Sequence, residues 1–203
     1  MPVRSGGKDY RIAGGGGTLT MSAQPNPTAV VIDKQFLLAL LQETREIFLR
    51  SFAGLTEEQS RLKPAPDCWC VLDTVEHLTT AETIQLKLIS RQRTPRPADA
   101  PNREHAFLHM IPNRTHKMES PEGARPIGRF ATLAEAAEQF RTTRAGVIQF
   151  LEHYTEDLRG CEVKHPHPAA GMVSICEMLV AMAMHAKRHA AQIEEIRNRL
   201  DLK

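Results

Sequence analysis

An all-α fold, a four-helix bundle, is what this sequence predicts. Three observations carry the prediction. Four segments repeat apolar residues at helical spacing. Several open on residue patterns that cap helix N-termini. No stretch alternates apolar and polar residues over any length, so no strand is expected.

The first helix is expected from about Asp33 to Phe52, with Asp33 as its N-cap and Phe36, Leu37, Leu40, Leu41, Ile47 and Phe48 as its apolar stripe. TEEQ (56–59) reads as a capping box opening a short extra turn, after which KPAP (63–66) breaks the chain. The second helix is expected from about Cys70 to Ser90, on Val71, Val75, Leu78, Leu86 and Ile89. The third opens at TLAE (132–135), a capping-box pattern, and is expected to run to about Leu158 on Leu133, Ala136, Ala137, Phe140, Val147, Ile148 and Leu151. The fourth opens at SICE (174–177), the clearest capping box of the set, and is expected to end near Leu200. The connection from Arg91 to Ala131 is long, Pro-rich and carries His105, His109 and His116, so a lid and a structureless loop are both open readings for it.

Composition bounds the function. The chain of 203 residues suits one domain with a tail: residues 1–29, with a GGGG run, read as a flexible segment, and residues 30–203 as the folded domain. Met21 is a second candidate start. A net charge of +2 is too small to argue for nucleic acid, and the basic run RQRTPR (91–96) reads as solvated loop. Nothing approaches the roughly 18 consecutive apolar residues of a membrane span. The four cysteines, Cys68, Cys70, Cys161 and Cys176, make neither a CxxC pair nor a disulfide-dense pattern. With no apolar signal segment at the N-terminus they read as reduced thiols, and the expected location is cytoplasmic.

The segment AMAMHAKRHAAQI (181–193) raises the chemical question. His185 and His189 are separated by roughly 40° around the fourth helix and about 6 Å along it. Met178, Met182, Ile193, Ile196 and Leu200 project from the same side, while Lys187, Glu194 and Glu195 point away and Arg188 lies on the flank. Two histidines at i and i+4 on a core face can grip one metal ion, or they can be two core histidines with hydrogen-bond partners. Spacing alone leaves both readings open. Ala186 stands where a zincin HExxH motif has its Glu, so the usual general base is missing. In the second helix, His77 lies on a flank of the apolar stripe. If the second and fourth helices are neighbours, it completes a three-histidine set with a position open to water or substrate. Zn is the default ion and Ni the next choice, with Fe and Mn also compatible.

Trp69 followed by His77 after seven intervening residues, together with the late HAKRHAAQI, resembles the DinB-like superfamily. The resemblance covers roughly residues 32–197. GLTEEQSRLKPAPDCWCVLDTVEHL (54–78) is similar to that family's first interhelical loop and second helix, and HPHPAAGMVSICEML (165–179) to its lead-in to the last helix. The resemblance implies a four-helix bundle with long crossover connections and a divalent metal held by His77, His185 and His189. It also implies a homodimer. Some relatives are thiol S-transferases or isomerases using a low-molecular-weight thiol, others carry the label of metal-dependent hydrolase, and the family's name implies no polymerase activity. One departure is Cys70, where the family commonly has Ser as a helix cap. At about 10 Å along the axis from His77, Cys70 is a poor co-ligand. Cys68 and Cys70 read as structural thiols flanking a buried Trp69, with a redox role as the alternative.

Such a site supports two chemistries near neutral pH. It can lower the pKa of a bound water toward about 7, or bind a thiol and strip its proton. The expected function is therefore metal-dependent transfer or hydrolysis on a small-molecule substrate. The alternative is a non-catalytic dimeric bundle with a structural ion or none. A fourth ligand from the 91–131 connection, such as His105 or His109, would favour a structural ion. Glu76, Glu82, Arg141 and Arg144 are candidates for substrate contact, with ordinary helix-pair charge as the simpler reading. Gln192 is a candidate for supporting the ligands, or simply fills a polar gap. His153, His165 and His167 read as solvated, and Met172, Met178, Met182 and Met184 as gap-filling core.

Overall fold

The computed structural model describes residues 30–115 and 118–202. The tail expected over residues 1–29 lies outside them, as does His116. The helices are α1 (Lys34–Ser51), α2 (Glu57–Arg61), α3 (Val71–Arg91), α4 (Glu104–Met110), α5 (Leu133–His153) and α6 (Ile175–Arg199). α1, α3, α5 and α6 form the bundle.

The predicted starts are built as the sequence suggests. Asp33 accepts from Phe36 N at 2.8 Å. Thr56 and Gln59 form a reciprocal capping box on α2, and Ser174 and Glu177 do so on α6. At α5, Thr132 caps Glu135 N, but Glu135 reaches back to Ala131 N instead of the cap itself, so TLAE is only half of a box. Cys70 caps α3 despite its weak acceptor: Sγ accepts from Asp73 N at 3.4 Å and Asp73 Oδ2 accepts from Cys70 N at 3.0 Å.

α1 packs on α5 and α6, and α3 packs on α5 and α6, so α1 and α3 are diagonal across the bundle. Cross-helix bonds fix the directions. Thr79 reaches Ala136 O and Thr83 meets Thr143, so α3 and α5 run parallel. One core cluster joins Leu37 and Leu41 of α1, Ile89 of α3, Leu151 of α5 and Met178 of α6. The other joins Phe48, Val75, Phe140 and Ile193. α1 and α6 therefore run parallel to each other and antiparallel to α3 and α5. A chain leaving the end of α3 must travel the length of the bundle before it can start α5. That is the physical reason for the long crossover at residues 92–132.

Other sequence expectations about the fold need correction. The third predicted helix ends at His153, not Leu158. Beyond it Asp157 caps a turn, accepting from Arg159 N at 2.9 Å while Gly160 N donates to its backbone carbonyl. Leu158 is still buried, but as part of a loop whose carbonyl accepts from Cys176 N. Strands also exist. β1 (Thr94–Pro95), β2 (Cys161–Lys164) and β3 (Met172–Ser174) make an antiparallel sheet in that order, with Val163 opposite Val173 and both buried in the first core cluster. Runs this short show no legible alternation. Met172 is 43% exposed and fills no core gap, whereas Met178, Met182 and Met184 do.

Candidate metal centre

α3 and α6 are neighbours, the condition on which the third ligand depended, and His77, His185 and His189 converge between them. The candidate ligand nitrogens lie within 4.8 Å of one another. His77 Nε2 is 3.3 Å from His185 Nε2, which is 2.8 Å from His189 Nε2. Zn–N bonds of ~2.0–2.1 Å in a tetrahedron place ligand nitrogens ~3.3 Å apart, which the His77–His185 separation matches and the His185–His189 separation approaches.

The outer nitrogens decide what the inner ones present. His77 Nδ1 donates to Ala124 O at 2.8 Å, with Ser120 Oγ a further 3.2 Å contact. His189 Nδ1 donates to Gln192 Oε1 at 3.0 Å. With both Nδ1 atoms carrying the proton, both Nε2 lone pairs face inward. His185 Nε2 can donate to one of them at most. A divalent cation satisfies the whole set at once, and imidazole is a donor that zinc, nickel and their neighbours accept. Burial is the first cause that holds all three imidazoles below 6.5, and His185 and His189 lie well below it, each depressed further by its histidine neighbours. They are therefore neutral at pH 7, the form a metal requires. His77 and His189 are buried, while His185 keeps partial exposure and marks the accessible side. Trp69 is half-buried rather than buried, its ring 4.9 Å from that of His77.

The crossover is fastened along α6 and α3 and touches this site. Arg103 N and side chain bind Glu177 at the start of α6. Arg188 donates to the carbonyls of Ile111 and Asn113. Arg114 grips Glu195 through two 2.7 Å bonds and touches Gln192. Ser120 and Ala124 then meet His77, and the chain finishes on Glu76. That carboxylate accepts from the backbone N–H groups of Ile127, Gly128 and Arg129 at 2.7–3.1 Å and from the Arg129 side chain at 2.8 Å. Gly128 has φ +79, which a side chain would strain. The described residues of the 91–131 connection therefore act as a strap.

The other candidates separate cleanly. Glu76 anchors the strap. Glu82 and Arg144 form an ion pair with both side chains fully buried, and Arg144 also binds Leu41 O and Thr44 Oγ1. Arg141 pairs with Glu138 on the exposed α1–α5 edge, opposite the histidines. His105 and His109 are exposed on α4, and among the described residues no fourth side chain joins the three histidines. His153 is exposed, as expected. His165 is not simply solvated: burial first of all lowers it to about 4. His167 N donates to its Nδ1, so Nε2 carries the proton toward the Gln85 amide 3.2 Å away. Turning that amide gives the proton an acceptor and also satisfies the orphaned Gln85 Oε1.

What sequence reasoning missed is the strap's attachments. Glu76 gave a faint signal, a carboxylate directly beside His77. Arg114, Ser120 and Ala124 O gave none.

Known proteins supply independent comparisons. YuaE of Bacillus subtilis (strain 168), described as uncharacterized, is 21% identical over 166 residues, 81% of this chain and 99% of that protein. The structure of YfiT from Bacillus subtilis superposes with a TM-score of 0.58 at 17% identity, covering 89% of this chain and 94% of YfiT. YfiT is described as a probable metal-dependent hydrolase with an unusual four-helix bundle topology. A conserved protein from Enterococcus faecalis gives 0.57 at 16% identity, over 86% of this chain and 100% of that one. At such identities the likeness establishes the fold. The family model of the DinB superfamily matches residues 40–193, which span α3, the strap, α5 and both α6 histidines, and the chain belongs to that superfamily.

Proposed function

We propose that this protein is a metal-dependent enzyme in which His77, His185 and His189 hold a divalent ion, with zinc or nickel first. The ion would activate a thiol or water for transfer to, or hydrolysis of, a small molecule. One observation carries the reading. Three neutral imidazoles turn Nε2 toward one point, with two of the Nδ1 protons tied off on carbonyl oxygens. A bound ion supplies Lewis acidity there, favouring the deprotonated form of a thiol or water.

The chain's own groups set the rest. Glu76 is committed to the strap and Glu82 to Arg144, so neither is available as a general base. A nucleophile that sheds its proton readily suits such a site, which supports a low-molecular-weight thiol. The description of YfiT supports water. His185, the most exposed of the three, is where either would approach. Assembly as a homodimer is part of the proposal and is tested by sedimentation.

The test compares chelator-stripped protein with protein reconstituted with zinc or nickel. Each is assayed against glutathione plus an aryl halide, and against an activated aryl ester. Turnover only after reconstitution, lost in His185→Ala, is expected, and the productive assay assigns the nucleophile. Fully loaded protein that turns over neither class would point to the non-catalytic bundle.

A further inference from the structure

We propose that Arg114, on the strap, is a positioning residue for the metal site, acting through Gln192. The inference rests on the metal reading above. Gln192 Oε1 accepts from two donors at once, His189 Nδ1 at 3.0 Å and Arg114 Nη1 at 3.2 Å. Arg114 is itself fixed by its paired bonds to Glu195, both 2.7 Å. A side-chain amide is otherwise free to turn over, because its oxygen and nitrogen are nearly the same size. Turned over, Gln192 would present N–H to the Arg114 guanidinium, which has only donors. Arg114 therefore excludes the flipped amide.

The consequence reaches the ion. A flipped amide would donate to His189 Nδ1, and the imidazole proton would move to Nε2, the atom aimed at His185. In that tautomer the ligand lone pair points away from the site. Arg114 keeps His189 in its binding tautomer, and by linkage a bound ion holds the strap at Arg114 more tightly. The strap does not depend on Arg114 alone, because Arg188 binds the neighbouring carbonyls of Ile111 and Asn113.

Substitution of Gln192 by Glu separates this role from a merely structural one. A carboxylate is all acceptor, so it holds the His189 Nδ1 proton in either orientation. Zinc affinity is measured by calorimetric titration of chelator-stripped wild type, Arg114→Ala, Gln192→Glu and the double variant, with folding checked by circular dichroism. Arg114→Ala is expected to weaken zinc binding about tenfold beside Gln192. On the Gln192→Glu background the same change is expected to alter affinity by less than about twofold. Equal losses on both backgrounds, or no loss in Arg114→Ala while the wild type binds zinc, would overturn the inference and leave the metal site standing. A wild type that takes up no zinc would overturn both.

Discussion

Two of the polar clusters in the interior of this bundle are built to opposite plans. Between α3 and α5, the carboxylate of Glu82 meets the guanidinium of Arg144, whose remaining donors find Leu41 O, Thr44 Oγ1 and Met182 O. Charge is matched by charge, and donors by acceptors. Between α3 and α6, His77 and His189 satisfy their outward nitrogens, and all three histidines leave Nε2 facing one another. The first is fully buried and the second is buried except for the partly exposed His185, and both carry a cost that a leucine would not. The first closes on itself and reads as a device that holds α3 and α5 in register. The second is the one that a cation would complete. A buried polar group is a clue to chemistry when its inward lone pairs outnumber the donors that reach them.

Breaking the closed cluster should have the largest effect. Arg144→Met leaves Glu82 unpaired in the core and is expected to cost about 3–5 kcal/mol of stability in urea denaturation. Zinc should still bind the folded fraction, because no histidine contact is touched. The open cluster should show the reverse behaviour. Zinc at about a hundredfold over its Kd is expected to stabilise the wild type by ~2.7 kcal/mol and to leave His185→Ala/His189→Ala unmoved.

Acidity sharpens the contrast. The folded protein holds His77, His185 and His189 below 6.5, so below that pH the unfolded chain binds more protons than the native one. Metal-free stability should be fully present above 6.5 and fall as pH drops through and below it, as thermal melts across a pH series would show. His165, held to about 4, adds to the same loss.

Loosening the strap is a smaller perturbation. Glu76→Gln turns an acceptor against backbone donors into a donor, and is expected to cost about 1–3 kcal/mol, with faster amide exchange at residues 127–129. Smallest is Cys70→Ser, outside both clusters. A hydroxyl is a better N-cap than a thiol, and a gain of about 0.5 kcal/mol is expected in the same denaturation assay.

Much of the bundle was legible because its signals are local. Asp33, the Thr56–Gln59 and Ser174–Glu177 boxes and the apolar stripes announce the helices within a few residues of each other. The pairing of His185 with His189 was legible for the same reason. His77 could be joined to them only on the condition that α3 and α6 are neighbours, which periodicity does not reveal. The strap was illegible. Arg114 finds Glu195 and Ala124 finds His77 across large sequence separations, along irregular chain with no period to betray its path. The strands failed to register for a different reason: β2 and β3 are too short to alternate, and they gain stability from Val163 and Val173 packing into a core built by helices.

The central claim, that the open cluster is a metal site, is tested most directly by metal content. Inductively coupled plasma mass spectrometry on protein purified without a polyhistidine tag, beside the His185→Ala/His189→Ala variant, gives the answer. Near-stoichiometric zinc or nickel in the wild type and none in the variant is the predicted result. No metal in either protein, even after reconstitution with excess ions, would contradict it and leave the three histidines as a polar knot in the core.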